Sequence, residues 1–508
     1  MAKFSASMVI VAITWLVVPT VVQALASSME QDKKEREGKQ ERERDNKFIP
    51  FRKFIESVEG ANTSDFLSRP TSRVKDAESF EQMRQYILEF YEGVIVRHSW
   101  ILGSQHFDCV PVEQQPTARA LGIENIDLTQ PSTVPQPLGA GRLPEGAITL
   151  SSPLGPDEQF DQFGNSRLCE VGTIPMDRIT LDRLIHFNTL GQFFQKGPGL
   201  VELPPGEPPE PPAGGIGGPP APGYLHSQVY LEVPNFGGDT FLTIWKPDVE
   251  PGANNHSISQ QWYTGSQSGL CRGDDTCQTI ESGWIVAPDS YIGDKNPHLF
   301  IYFTPDAYSQ NGRGCYDMHC SPGFFANPVK ELTGWALGMK LPASVAGGPR
   351  FGFTMSWQSV GDGNWSLFIN DLYFGMYPKS VFAQNKLGQP GQMTKNATLV
   401  VYGGEVVARD INPPEPTPCR NGGLLFPACN WPQMGSGRFA PAAYQVGMQY
   451  LNTSMKFFPS PWVLLPPSQL QQNVESDPRC YTQELDPIFT DRNIFSIFFF
   501  GGPGGFLC

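Results

Sequence analysis

Apolar and polar residues alternate with two different periods along this chain, and the change of period divides it. From Asp76 onward Phe80, Met83, Ile87, Phe90 and Val94 recur at helical spacing behind an acidic first turn, which predicts one amphipathic helix. A second helix-like stretch runs from Asp182 to Phe194. From Tyr224 to Cys508 the pattern becomes short alternating runs separated by turn residues: SQVYLEV, FLTIWKP, GWIVAP, HLFIYFTP, RFGFTMSWQ, WSLFIND, ATLVVYGGEVVA and IFSIFFFGG. Runs this short, rich in Val, Ile, Phe, Tyr and Trp, predict antiparallel strands. The expected fold is all-β, an antiparallel two-sheet β-sandwich preceded by a small mixed region with one or two helices. No repeat of fixed period is present, which argues against a propeller.

Three segments carry neither period. Lys3, the apolar run from Met8 to Gln23 and Ala24-Leu25-Ala26 have the form of a secretory signal, too short to span a bilayer and broken by Pro19. Residues 30–47, EQDKKEREGKQERERDNK, are almost pure mixed charge and cannot bury a core. Residues 196–223, KGPGLVELPPGEPPEPPAGGIGGPPAPG, form a Pro/Gly segment that is expected to be extended, exposed and open to proteases. The expected organisation is therefore a signal peptide (1–26), a charged, disordered tail (27–75), a pro-region (76–195), a linker (196–223) and a β-sandwich domain (224–508). A secreted protein without stable membrane association after signal cleavage is expected.

Charge and cysteine usage sharpen this picture. Over 508 residues, 37 basic against 51 acidic side chains leave a net charge of −14, which argues against nucleic acid as a partner. The cysteines, Cys109, Cys169, Cys271, Cys277, Cys315, Cys320, Cys419, Cys429, Cys480 and Cys508, are even in number and include no C-x-x-C, so disulfides between neighbours along the chain are the economical reading. Sequons at Asn62, Asn255, Asn364, Asn396 and Asn452 are candidate glycosylation sites.

The search for chemistry excludes more than it finds. There is no G-x-S-x-G elbow, P-loop, H-E-x-x-H or dinucleotide fingerprint, and the seven scattered histidines form no metal set, so no metal and no cofactor are expected. Carboxylates within apolar strands are the better lead, because a charge in a sheet interior is costly. Glu281 in QTIESGW shares a strand face with Thr279 and Gly283, opposite Ile280, Ser282 and Trp284. Glu405 in VVYGGEVV shares its face with Gly403 and Val407. Each acid thus has a glycine beside it, which leaves room for a substrate to approach. A strand glutamate that faces solvent or pairs with arginine is the competing account of either.

Both segments resemble the neprosin family of secreted glutamic peptidases, and further blocks match in the same order. SISQQW (257–262), QTIESGW, HLFIYFTPDAY, GCYDMHC, YGGEVV, MGSGRF (434–439) and FFFGGPGG before Cys508 resemble the family's successive motifs, and FDCVPVEQQP (107–116) is similar to a segment of its activation peptide. Tyr402 stands where the family often has Trp.

The resemblance implies that Glu281 and Glu405 are a catalytic pair, that Cys315 and Cys320 close a small loop, and that the enzyme is an endopeptidase cutting after proline. Gln260, Trp284, Tyr308 and Tyr402 are weaker candidates for contacting substrate, with core packing an open alternative for each. Protein or peptide substrates, proline-rich ones among them, would be the partners. The pro-region would act as an intramolecular inhibitor, and the linker would be the site of self-activation in acid. The competing class is a non-catalytic β-sandwich module that binds carbohydrate or peptide.

Overall fold

A computed structural model describes residues 47–123, 134–138, 143–196, 224–251, 255–267, 274–309, 312–328, 334–410, 417–418, 431–439, 443–460, 474–475, 479–489 and 494–505. The chain divides into two compact units, Met1–Ile49 and Pro50–Cys508. The signal-like segment, the charged run up to Asn46 and nearly all of the Pro/Gly segment lie outside the described residues.

Two large antiparallel sheets form the body of the second unit. The first runs in the order Cys315–Tyr316, His298–Thr304, Gln278–Val286, His256–Gly265, Ala397–Val407, Tyr224–Asn235, Val474–Glu475. The second has Arg350–Gln358, Gly237–Thr243, Ala443–Leu451 and Ile494–Gly501 at its middle. Side chains alternate between the faces of each strand, so one face of each sheet supplies the core. Tyr263, Trp284, Phe353, Trp357, Tyr402 and Phe500 fill it. Polar groups of these rings find partners there: Trp284 Nε1 donates to the Thr243 carbonyl at 2.8 Å, Trp357 Nε1 to Ser282 Oγ at 2.8 Å, and the Tyr402 hydroxyl to the Gln449 carbonyl at 2.6 Å.

Trp284 and Tyr402 are therefore core residues and not contacts for substrate, a correction to their candidacy. Period-2 alternation had already set them opposite the glutamates. Trp284→Ala is expected to destabilise the protein by about 3–5 kcal/mol through the cavity it leaves, read as a lowered denaturation midpoint.

The region before the sandwich is richer in helix than the expected one or two. Phe51–Glu59 and Thr63–Leu67 are helices within the segment read as a disordered tail. Phe51, Phe54, Ile55 and Val58 repeat at helical spacing there, with Phe54 and Val58 buried, so this stretch has a core face that the charged run before it lacks. The helix expected from Asp76 spans Ala77–Phe90 and is capped by the Asp76 carboxylate on the Ser79 N–H at 2.8 Å. It stops short of Val94 because the chain turns through Gly93 at φ 68°. The stretch from Asp182 to Phe194 is two short helices, Leu181–Leu184 and Leu190–Phe194, since Thr180 and Thr189 each cap a new start.

This amino-terminal region is stitched to the sandwich. Ala147–Thr149 pairs in parallel with the Arg350 strand, and Val110, Val112, Ile174 and Met176 share the sandwich core. Cys109 bonds to Cys169 and Cys315 to Cys320. Cys277 and Cys480 are also disulfide-bonded, whereas Cys271, Cys419, Cys429 and Cys508 lie outside the described residues. Of the sequon asparagines, Asn255 is buried and donates to the Glu250 carbonyl, which is incompatible with a glycan there; Asn62 is exposed. No helix among the described residues is long and apolar enough to cross a membrane.

Candidate active site

The outward face of the first sheet carries the site. The strand His256–Gly265 lies between the Glu281 strand and the Glu405 strand, in a register that sets Trp262 opposite Glu281 and Ile258 opposite Glu405. Gln260 sits midway, opposite Gly283 on one side and Gly403 on the other. Glu281, Gln260 and Glu405 thus form a diagonal across three strands, and all three are buried. Behind it the second sheet holds the backbone in place, with Gln445 Nε2 donating to the Gln260 carbonyl at 3.0 Å and to the Gly403 carbonyl at 3.3 Å.

The two glycines serve the strands, not an approaching ligand. Gly283 and Gly403 have φ of 157° and 152°, and a Cβ on either would lie 2.0 Å from the Ser259 carbonyl oxygen or 2.3 Å from that of Ser227. Only glycine tolerates this approach of neighbouring backbones.

Lys196 fills the space between the glutamates. It follows the short Leu190–Phe194 helix, where the chain becomes extended at Gln195. Its Nζ is bonded to Glu281 Oε2, lies 3.0 Å from Glu405 Oε1 and stands 5.2 Å from the centre of the Trp262 ring. The Tyr224 hydroxyl donates to the Lys196 carbonyl at 3.2 Å, Gln195 Nε2 to the Ser309 carbonyl at 3.4 Å, and Phe193 stacks on the His319 ring. The first residue of the Pro/Gly segment is thereby anchored on both sides.

The remaining partners of the two acids differ in kind. Glu281 accepts from the Tyr308 hydroxyl at 2.6 Å and, with the Gln260 amide oriented to satisfy both neighbours, from Gln260 Nε2 at 2.9 Å while the Gln260 carbonyl faces Lys196 Nζ at 3.2 Å. Glu405 instead has an imidazole on each oxygen: His226 Nε2 at 3.2 Å from Oε2 and His256 Nε2 at 3.2 Å from Oε1. Burial pushes the Glu281 carboxyl above its ordinary value; Lys196 opposes this and the charge of Glu405 adds to it. Burial acts on Glu405 in the same sense, yet the charge of Lys196 and the bonds from His226 and His256 hold it well below the usual carboxylate range. The two carboxyls titrate as a pair, and their opposite shifts favour Glu281 over Glu405 as the holder of a shared proton.

Of the side chains singled out from the sequence, the structure brings Glu281, Glu405, Gln260 and Tyr308 together. It adds Lys196, His226, His256 and Trp262. Trp262 has the same parity as Gln260 along its strand, so alternation was the signal that could have found it. No group of acidic, histidine or cysteine side chains among the described residues could hold a metal ion.

Two solved structures show a weak likeness: SCP-B, a member of the eqolisin family of peptidases, and scytalido-glutamic peptidase bound to a peptide-based transition-state analog. Each is 10% identical over 55% of this chain and 98% of its own, at TM-scores of 0.25 and 0.24, too low to carry an argument here. The family comparison is direct: residues 253–503, which include both glutamates, match the Neprosin family model, so this stretch of the chain carries a Neprosin domain.

Proposed function

We propose that this protein is a secreted glutamic endopeptidase that acts in acid, hydrolyses peptide bonds after proline through Glu281 and Glu405, and is made as a zymogen. The observation that carries this reading is the pair of buried glutamates from two strands, both within bonding reach of one ammonium and with opposite preferences for a proton. A water in the place of the ammonium would meet a base on one side and an acid on the other. Glu405 takes a proton from the water as its oxygen adds to the scissile carbonyl, and Glu281 bonds to the developing oxyanion. The C–N bond then breaks as a proton is delivered to the leaving amine, and no covalent intermediate is required. Tyr308 and Gln260 hold Glu281. Trp262, with Tyr302 and Tyr316 on the same side of the sheet, supports an aromatic receptor for proline.

Latency rests on the amino-terminal region. Lys196 blocks the dyad, and the seam beside it places basic groups of that region on acids and rings of the sandwich: Arg73 pairs with buried Asp289, and Arg183 lies over the Tyr291 ring at 5.1 Å. His186, 4.0 Å from Asp289, is pushed down to about 4 by burial and by Arg73. His298, stacked on Tyr291, is pushed down to about 4, mainly by burial. An imidazole held neutral contributes stability above its ordinary value of about 6.5, and that contribution is lost as pH falls toward 4.

Acid therefore loosens the seam and frees the dyad to cut the linker sequence ELPPGEPPEPP. Full-length protein held at about pH 3 should show a new amino terminus within residues 196–223, and a defined protein mixture digested with it should yield peptides ending in proline. Absence of any cleavage would overturn the peptidase reading. Cleavage with no preference for proline would overturn only the specificity, and processing solely by added protease would overturn self-activation.

A further inference from the structure

The partners of Glu405 raise a question that the dyad alone does not answer. When Lys196 leaves, the site loses the ammonium that touches both acids. A catalytic base must then stay ionised in acid, below the ordinary carboxylate range of about 4, while buried and beside a second glutamate. On Glu281 the remaining partners are neutral donors, Tyr308 and Gln260. On Glu405 they are two side chains that gain a positive charge as pH falls.

The placement of these imidazoles follows from the sheet. His226 lies directly opposite Glu405 on the Tyr224 strand, and His256 lies two pairs further along on the central strand, opposite Val407. The carboxylate is thus clamped from both neighbouring strands, one ring to each oxygen. Both rings are buried, and His226 is further fixed by stacking parallel to Tyr224 and edge-on to Trp262. Among the described residues, the titratable and charged groups around this clamp include Lys196 from the segment after the Leu190–Phe194 helix, Glu281 from its strand, Tyr224 from the His226 strand and Tyr316 from the sheet edge. Neither the tyrosines nor Glu281 can gain a positive charge as pH falls. Once Lys196 has gone, His226 and His256 are the groups in this set that can supply positive charge.

We propose that His226 and His256 are positioning residues for Glu405, clamping it from both neighbouring strands after the Lys196 ammonium has left and so keeping the general base ionised in the acid at which the enzyme works. The inference rests on the reading of Glu405 as base. It makes the acid requirement of the enzyme a property of the site as well as of the seam.

The test is the pH profile of kcat/KM on a proline-containing peptide, measured with full-length protein activated in acid and with the H226Q/H256Q variant treated identically. Glutamine keeps a hydrogen-bond donor on each oxygen but no charge. The acid limb of the variant should move up by one to two pH units, so that the ratio of kcat/KM at about pH 3 to that at about pH 5 falls about tenfold for each unit. If the double variant does not fold, H226Q and H256Q singly should each move the limb part of the way. An unmoved limb in folded, active variants would overturn the role of the histidines and leave the dyad standing. Wild-type protein without acid proteolysis would overturn the dyad reading, and the role of the histidines with it.

Discussion

Replacement of either glutamate by glutamine, E281Q or E405Q, is expected to lower kcat/KM for a proline-containing peptide by about 10²–10⁴-fold, the range for loss of a general acid or base. Glutamine preserves the volume and most of the hydrogen bonding of each side chain, so the loss reports on proton transfer. The two losses should not add, because both groups act on one water and one carbonyl; the double variant should be about as slow as the worse single one.

The wild-type profile should be bell-shaped, with limbs of known sign. Glu405 has to be ionised, so activity falls as pH drops through the value that His226 and His256 set for it once Lys196 has left. Glu281 has to be protonated, so activity falls as pH rises through its raised value. In E405Q the acid limb should vanish together with the rate. The measurement is made on protein whose linker has been cut by an added protease, so that loss of activity is separated from loss of self-processing. Undiminished acid proteolysis in both variants excludes the dyad.

The acids were legible in the sequence because their setting is local. A glutamate inside an apolar strand, with its parity fixed by the residues on either side, can be assigned a face from a dozen letters. The same argument set Trp284 and Tyr402 against the core, and the structure agrees with that alternation. The glycines beside the acids were legible as a signal but not as a cause, since the carbonyls that exclude a Cβ belong to the strands of Ser227 and Ser259.

What the sequence withheld depends on strand order and register. His226 and His256 have unremarkable neighbours, and they acquire meaning only when the strands that carry them are known to flank and oppose Glu405. The Phe51–Glu59 helix was missed for a different reason. The weight of charge in residues 30–47 hid a period of three and four that begins immediately after it. Lys196 was the hardest to read. It stands at the first position of a Pro/Gly segment, and its partners are 85 and 209 residues away.

That lysine gives the second large prediction. In K196M the stem is kept and the charge removed, so two buried carboxylates face an apolar side chain. Breaking a buried ion pair from one side costs about 3–5 kcal/mol, because the remaining charge is left uncompensated. Here the cost falls on the docked state alone, since an undocked pro-region exposes the acids to water. The open fraction of full-length protein should therefore rise at least about 10²-fold.

The dependence on pH should change with it. In the wild type Glu405 is held low by Lys196, so its contribution to docking is present above the ordinary carboxylate range and lost only as pH falls through that lowered value. Without Lys196 this part of the latch is absent at every pH, and His186 and His298 remain as groups whose charging opens the seam between about pH 6.5 and 4. Linker processing of K196M, followed on gels against wild type from about pH 7 downward, should begin at a higher pH and run faster throughout. Latency equal to wild type at every pH would show that the lysine, though seated between the glutamates, does not hold the zymogen closed, and would move that role to Arg73, Arg183 and the shared core.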